Sequence, residues 1–222
     1  MKITQFPKEI NEELAEETGW HIGDGSMNFY GNKNKLKGIY QLRGHIEDDK
    51  LHYIQRIKSI FKNLYGIDIS LREMPSTRVF GFQIWNDDLV KFKQKLGLPL
   101  GPKIDITIPS IFLDNKKLKA AVLRGIFDTD GGIYLEKKNN KLYPRMEIQT
   151  ISHILANQLK EAFNELGLRA TTYQSDFKRG NKKDCYTVAI RGEEMFHKFI
   201  KVISPQNPKH MAKYGRFIQS FK

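Results

Sequence analysis

The sequence predicts an α+β fold built from two similar repeats, each with the element order αββαββα. Three observations lead there. Apolar residues recur at helical spacing in some segments and alternate in others. The helix-like and alternating runs occur twice, in the same order. Two Asp-Gly sites, at Asp24 and Asp130, set an offset of 130 − 24 = 106, and the same offset carries Gly19 onto Gly125 and GPK (101–103) onto NPK (207–209). A period near 100 residues is too long for a solenoid and points to duplication of a small unit.

The elements follow in order. The first helix of each repeat arrives at its Asp-Gly site, in GWHIGDGS (19–26) and GIFDTDGG (125–132). A polar gap leads to an alternating run, GIYQLRGHI (38–46) and YPRMEIQTI (143–151). Helix-like stretches come next, over 48–67, with apolar residues at 51, 54, 57, 60, 61 and 64, and over 152–168, with Ser152 as its N-cap. Further alternating runs, RVFGFQIW (78–85) and DCYTVAIR (184–191), precede acidic helix starts at NDDLVKF (86–92) and GEEMFHKF (192–199). This divides the chain into a first repeat over 1–100, a linker over 101–115, and a second repeat over 116–222 that ends in a basic tail.

Composition narrows the class. Of 222 residues, 40% are hydrophobic and 28% charged, as in folded globular proteins. No apolar run approaches the roughly 18 residues of a membrane span, and the acidic N-terminus does not resemble a signal peptide. The single cysteine, Cys185, excludes an internal disulfide framework. An intracellular, non-secreted protein is expected.

Lys and Arg total 37 against 25 Asp and Glu, a net charge of +12, which recruits polyanions. The basic residues gather in GNKNKLKG (31–38), EKKNNKLYPR (136–145), DFKRGNKKD (176–184) and PKHMAKYGR (208–216). The first three have the composition of hairpin tips. Lys33, Lys35, Lys37, Lys137, Lys138, Lys141, Lys178, Arg179, Lys182 and Lys183 are thereby candidates for gripping phosphates.

The Asp-Gly sites carry the chemistry. A carboxylate at a helix C-terminus is disfavoured by roughly 0.3–1 kcal/mol. Gly19 and Gly23 share one helix face, as do Gly125 and Thr129, so small residues four apart predict two helices crossing in backbone contact. Trp20, Ile22, Ile126 and Phe127 would then face their own repeat's core, and Gly25 and Gly131 would end the helices in the left-handed conformation. Asp24 and Asp130 would lie side by side and repel unless a cation sits between them. Mg²⁺ binds in this way, through one or two carboxylates plus substrate phosphates.

At these residues a family resemblance emerges. ETGWHIGDG (17–25) and LRGIFDTDG (123–131) resemble the two copies of the LAGLIDADG motif of homing endonucleases, of the monomeric, two-motif, archaeal-like type. The second copy departs mainly at Arg124, Phe127 and Thr129. The resemblance implies a homing endonuclease fold, in which two pseudosymmetric antiparallel sheets form a DNA-binding saddle. It implies a monomer acting on a long asymmetric or pseudo-palindromic double-stranded target, in a prokaryotic cytoplasm or an organelle. It implies an intron-homing, site-specific endonuclease that hydrolyses one phosphodiester per strand with Mg²⁺, Mn²⁺ substituting. The metal set is then Asp24 and Asp130 with the preceding Gly23 and Thr129. Asp128 is structural, because Ile22 takes its place in the first copy. Gln149, Gln41 and Arg191 are expected near the metals, with Gly44 or His45 as the counterpart of Gln149. Candidates for reading bases are Gln41, Arg43, Arg72, Gln83, Arg145, Gln149, Gln174 and Arg191.

Two rivals share the fold: an RNA maturase assisting intron splicing, and a cleavage-inactive DNA-binding protein. The lack of splicing blocks argues against an intein. Residues 128–136 fail as a calcium loop, because Gly132 and Asn139 stand where ligands are required. GIY at 38–40 lacks the second half of a GIY-YIG nuclease signature, and no Cys/His spacing suits zinc.

Overall fold

Asn11 opens the first helix by accepting the Leu14 amide, with Glu12 and Glu13 in the first turn where the helix dipole favours acids. In the computed structural model, which describes residues 3–32, 35–139, 141–175 and 185–221, this helix is α1 (Glu12–Gly23). The hairpin β1 (Gly25–Asn32) and β2 (Lys35–His45) follows. Next comes one continuous helix of α2 (Lys50–His52), a π-helical turn (Tyr53–Ile57) and α3 (Lys58–Tyr65), ended by Gly66 at φ 63°. β3 (Arg72–Met74), β4 (Val79–Trp85) and α4 (Asp87–Lys95) complete the first set. The order recurs as α5 (Lys116–Asp130), β5 (Gly131–Lys138), β6 (Lys141–Thr150), α6 (His153–Glu165), β7 (Ala170–Ser175), β8 (Cys185–Arg191) and α7 (Glu193–Val202). No helix among the described residues is long and apolar enough to cross a membrane.

The strands make two four-stranded antiparallel sheets, β1-β2-β4-β3 and β5-β6-β8-β7. Their registers match. Gly25 pairs with Leu42 and Gly131 with Ile148, while Ile39 pairs with Trp85 and Arg145 with Arg191, each shifted by 106. One face of each sheet is apolar and buried under helices, with Tyr40, Leu42, Phe80 and Phe82 in the first and Met146, Ile148, Val188 and Ile190 in the second. The alternation leaves Gln41, Arg43 and Gln83 on the open face of one sheet and Arg145, Glu147 and Gln149 on that of the other. The connection after α4 also enters the core. Ile106, Ile108 and Phe112 are buried, and Ser152 donates to the Ile106 carbonyl while capping α6.

The two repeats meet where α1 crosses α5. A Cβ on Gly19 would stand 2.3 Å from the Val122 carbonyl oxygen, and one on Gly125 would stand 2.1 Å from that of Glu16. The backbones therefore touch, as the paired small residues predict. Glu16 locks the crossing. Its buried carboxylate takes both nitrogens of an Arg56 fork and one from Arg124, whose Nε donates to the Ile203 carbonyl. Arg124, a departure from the motif, is thus tied to the partner helix.

Two expectations change. Gly25 and Gly131 are not left-handed: Gly131 has φ −85°, and Gly25 is not among the positive-φ glycines. They are needed for close approach, since a Cβ would meet His21 Cα at 2.5 Å or the Phe127 carbonyl at 2.4 Å. The basic tail is also helical, as α8 (Pro208–Gln219). Pro208 sits in its first turn, Asn207 caps it, and His210 and Phe217 are buried.

Gly19→Ala or Gly125→Ala should destabilise the protein by about 1–3 kcal/mol, because backbone must move. At this size that is a fall of about 2–4 °C in Tm per kcal/mol. Gly215→Ala in α8, where a Cβ meets nothing within 4 Å, should instead raise Tm slightly. A rise at Gly19 or Gly125 would contradict the backbone contact.

Candidate active site

The crossing delivers two carboxylates to one place. Asp130 is the last residue of α5 and Asp24 caps α1, so both stand at negative helix ends. The helix ends nearly touch: a Cβ on Gly23 would lie 2.0 Å from Thr129 Oγ1 and 3.2 Å from Asp130 Cγ. Asp24 Oδ2 is buried and accepts no hydrogen bond. Burial, then repulsion from Asp130 and Asp49, pushes the Asp24 carboxyl up to about 8 against the pull of Lys209 and Lys103. Asp130 keeps solvent access and rises less, to about 6, through desolvation offset chiefly by Lys103.

Each aspartate lies in its own pocket. The Asp130 pocket, about 330 Å³, also holds Gly23, Lys103, Gln149, Thr150 and Cys185. The Asp24 pocket, about 580 Å³, holds Thr129, Lys209, Arg43, Gly44 and Val79. The shift of 106 relates these six residues of one pocket to the six of the other, and Ile151 and Leu155 to His45 and Asp49, while Ile22 and Ile106 have no counterpart. Each pocket takes its aspartate and strand residues from one repeat and the neighbouring helix end from the other, while its lysine comes from the segment after the other repeat's last helix, Lys103 after α4 and Lys209 after α7.

The lysines are held differently. Lys103 Nζ donates to the carbonyls of His21, Ile22 and Gly23, capping the negative end of α1. Burial lowers its ammonium pKa, opposed by Asp130 and Asp24. Lys209 Nζ instead bonds Asp49 Oδ1 at 2.8 Å. Asp49 is buried and also accepts from the His45 amide and Asn207 Nδ2, whereas Leu155 occupies the matching position in the other pocket. Both lysines escape a reading from motifs alone. Their signal is the match of GPK to NPK at the shift that pairs the aspartates.

Of the residues expected near the metals, Gln149 lines the Asp130 pocket, and its counterpart by strand register is Arg43, not Gly44 or His45. Gln41 and Arg191 line neither pocket. Gln41 hydrogen-bonds Gln83 one step along the open face, and Arg191 lies cross-strand from Arg145. Register puts Lys37, Arg43, Arg72, Gln83, Lys138, Lys141 and Arg145 on the open faces. Gln174 pairs with Tyr186 and Lys137 with Leu142, so the two-residue alternation turns both to the helix-covered side. Lys35 opens β2. Lys33, Lys178, Arg179, Lys182 and Lys183 lie outside the described residues. Asp128 is a strut: wholly buried, it accepts the amides of Gln206 and Asn207 at the start of α8.

The donor set fits a hard divalent cation. It offers two carboxylates, one with an orphaned oxygen, beside the helix-end carbonyl of Thr129, while that of Gly23 already accepts from Lys103. Among the described residues no group of three or more His, Cys, Asp and Glu forms a metal cage. Mg²⁺ and Mn²⁺ bind through one or two carboxylates and complete their shells with water and substrate phosphates.

The raised Asp24 pKa fixes a sign. Stability from the protonated carboxyl is complete below the unfolded value of 3.8 and is lost as pH rises through about 8. In metal-free protein, Asp24→Asn should therefore raise Tm at pH 8.5 and leave it near wild type at pH 4. Mg²⁺ at pH 8.5 should stabilise wild type more than the variant. A variant less stable than wild type at pH 8.5 would contradict the crowded-carboxylate geometry.

Residues 117–204 match the LAGLIDADG-like domain. The chain is 29% identical over 213 residues to replication factor C small subunit of Methanocaldococcus jannaschii. It is 21% identical over 225 residues to glutamine–fructose-6-phosphate aminotransferase of the same organism. These alignments cover 95% and 98% of this chain but span only 10% and 18% of those proteins. Among solved structures, I-DmoI in complex with DNA and calcium superposes with a TM-score of 0.65 at 17% identity, covering 92% of this chain and 97% of that one. I-DmoI with DNA and manganese gives 0.63 at 18% identity, covering 88% and 98%. The LAGLIDADG meganuclease I-AabMI, bound to uncleaved DNA, gives 0.56 at 14%, covering 91% and 87%. The protein thus carries a LAGLIDADG-like domain and has, over its length, the fold of the LAGLIDADG homing endonucleases.

Proposed function

We propose that the protein is a site-specific endonuclease of double-stranded DNA, acting as a monomer and hydrolysing one phosphodiester in each strand with a divalent metal. The observation that carries this reading is the pair of register-matched aspartate pockets between two open, polar sheet faces. Two half-sites in one chain suit two strands. The crowded carboxylates cost stability, and a protein that only bound nucleic acid would gain by losing one, so cleavage is favoured over passive binding or RNA maturation. The relatives I-DmoI and I-AabMI, solved on DNA, point the same way.

Bound at Asp24 and Asp130, Mg²⁺ would polarise the phosphoryl group and lower the pKa of water. The chain's own groups do the rest. In each pocket the aspartate would hold a divalent cation, beside the neighbouring helix end at Gly23 or Thr129. Lys103 and Lys209 bring positive charge to the side of each pocket where a scissile phosphate accumulates negative charge. Gln149 and Arg43, at the strand ends, orient water or phosphate. The open faces present amides and guanidiniums to base edges, while lysines at the hairpin tips hold the backbone.

Incubating a randomised duplex library with the protein and Mg²⁺ should enrich one cleaved site, and a library left intact would contradict the reading. On that site, Asp24→Asn and Asp130→Asn should each abolish double-strand cleavage while binding survives. Double-strand cleavage at the wild-type rate by either variant would remove these residues from the chemistry.

The affinity should be strongly salt-dependent, with a log–log slope of about −0.9 per phosphate contact. Lys138→Ala with Lys141→Ala should flatten the slope by one to two contacts, and Lys137→Ala, on the other face, by less. A slope unmoved by the paired change would take this tip off the DNA.

A further inference from the structure

The open face of the second sheet carries a cluster that the cleavage pockets do not use. Glu147 sits at its centre, only 6% exposed on a face that is otherwise open. Arg145 Nε lies 2.8 Å from its carboxylate, Arg191 approaches from the neighbouring strand at 3.9 Å, and the Tyr173 hydroxyl donates to it at 2.9 Å. Glu136 takes a second nitrogen of Arg145. Each guanidinium also lies over a tyrosine ring, Arg145 over Tyr134 at 5.3 Å and Arg191 over Tyr173 at 5.4 Å. Arg145 is thus held by a hydrogen bond to Glu136, an ion-pair contact with Glu147 and the Tyr134 ring, and Arg191 by the Thr171 hydroxyl, the Tyr173 ring and a longer contact with Glu147.

The cluster is nearly balanced in charge, because two guanidiniums and the Lys138 ammonium meet two carboxylates. It therefore adds little to the general attraction for phosphates. A fixed guanidinium edge in a major groove, however, matches the O6 and N7 acceptors of guanine. The matching positions of the first sheet are Ile39 for Arg145, Gln41 for Glu147 and Trp85 for Arg191, by the shift of 106. There a Gln41–Gln83 amide pair stands instead, the chemistry that matches adenine.

We propose that Glu147 is a specificity-determining positioning residue. It holds Arg145 and Arg191 as a paired guanine reader, which makes the DNA target guanine-rich under the second sheet. This rests on the DNA-cleaving reading above, but its test does not need cleavage.

The probe is a randomised duplex library, selected for binding in buffer without divalent metal. Wild type should enrich sites with neighbouring guanines in the half under the second sheet. Glu147→Gln raises the net charge by one, so binding to a scrambled duplex should hold or tighten. Its preference for the selected guanines over adenine should nevertheless fall by about 5- to 150-fold, the range of one bidentate contact. Tyr173→Phe removes one bond to Glu147 from a partly exposed ring and should give a smaller fall in the same direction. Arg145→Lys keeps the charge and should lose the preference with the salt slope unchanged. A wild-type pool without those guanines, or a Glu147→Gln protein that discriminates as wild type or loses selected and scrambled duplexes equally, would overturn the inference. Failure of wild type to bind any duplex would instead overturn the DNA reading itself.

Discussion

The contact of α1 with α5 at Gly19 and Gly125 is the constraint on which the rest depends. Side chains at that contact would hold the helices apart at the usual 8–10 Å. Without them, the carbonyl oxygens of Glu16 and Val122 lie where Cβ atoms would stand. The same approach sets Gly23 against Thr129, closes both helices at one level, and leaves Asp24 and Asp130 no room to separate. It also puts the lysine after each repeat's last helix across the crossing, beside the other repeat's aspartate.

The crossing has kept its register while the cores around it have diverged. Glu17 and Lys93 form a fully buried ion pair in the first repeat, with the ammonium 5.5 Å from the Tyr65 ring centre. The matching positions of the second repeat are Leu123 and Phe199, both buried and apolar. His21, stacked on Tyr40 and held neutral by burial, corresponds to Phe127. Buried ion pairs and hydrocarbon can fill the same space at similar stability. The position of the carboxylates has no such substitute, since it follows from backbone contact.

Much of this was legible in the chain. The 106-residue shift, the alternating runs and the paired small residues specify two αββαββα units and a tight crossing, because periodicity and glycine spacing are local signals. What escaped the sequence depends on tertiary register. Gln174 and Lys137 have the composition of DNA contacts but lie one residue out of phase with the open face, and a shift of one flips a strand residue. Gly25 and Gly131 resemble left-handed caps, yet they answer to His21 and Phe127 packed behind them. Lys209 and Asp49 are 160 residues apart, and only the fold shows that one restrains the other. The α8 helix was hidden because its charge is more conspicuous than the spacing of His210 and Phe217.

The two pockets are completed crosswise, and strand-resolved nicking of an end-labelled selected site tests that most directly. Lys103→Met should slow the same strand as Asp130→Asn, and Lys209→Met the same strand as Asp24→Asn. Slowing of the opposite strand in either pair, or of both strands equally, would contradict a crossing in which the lysine after one repeat's last helix serves the other repeat's aspartate.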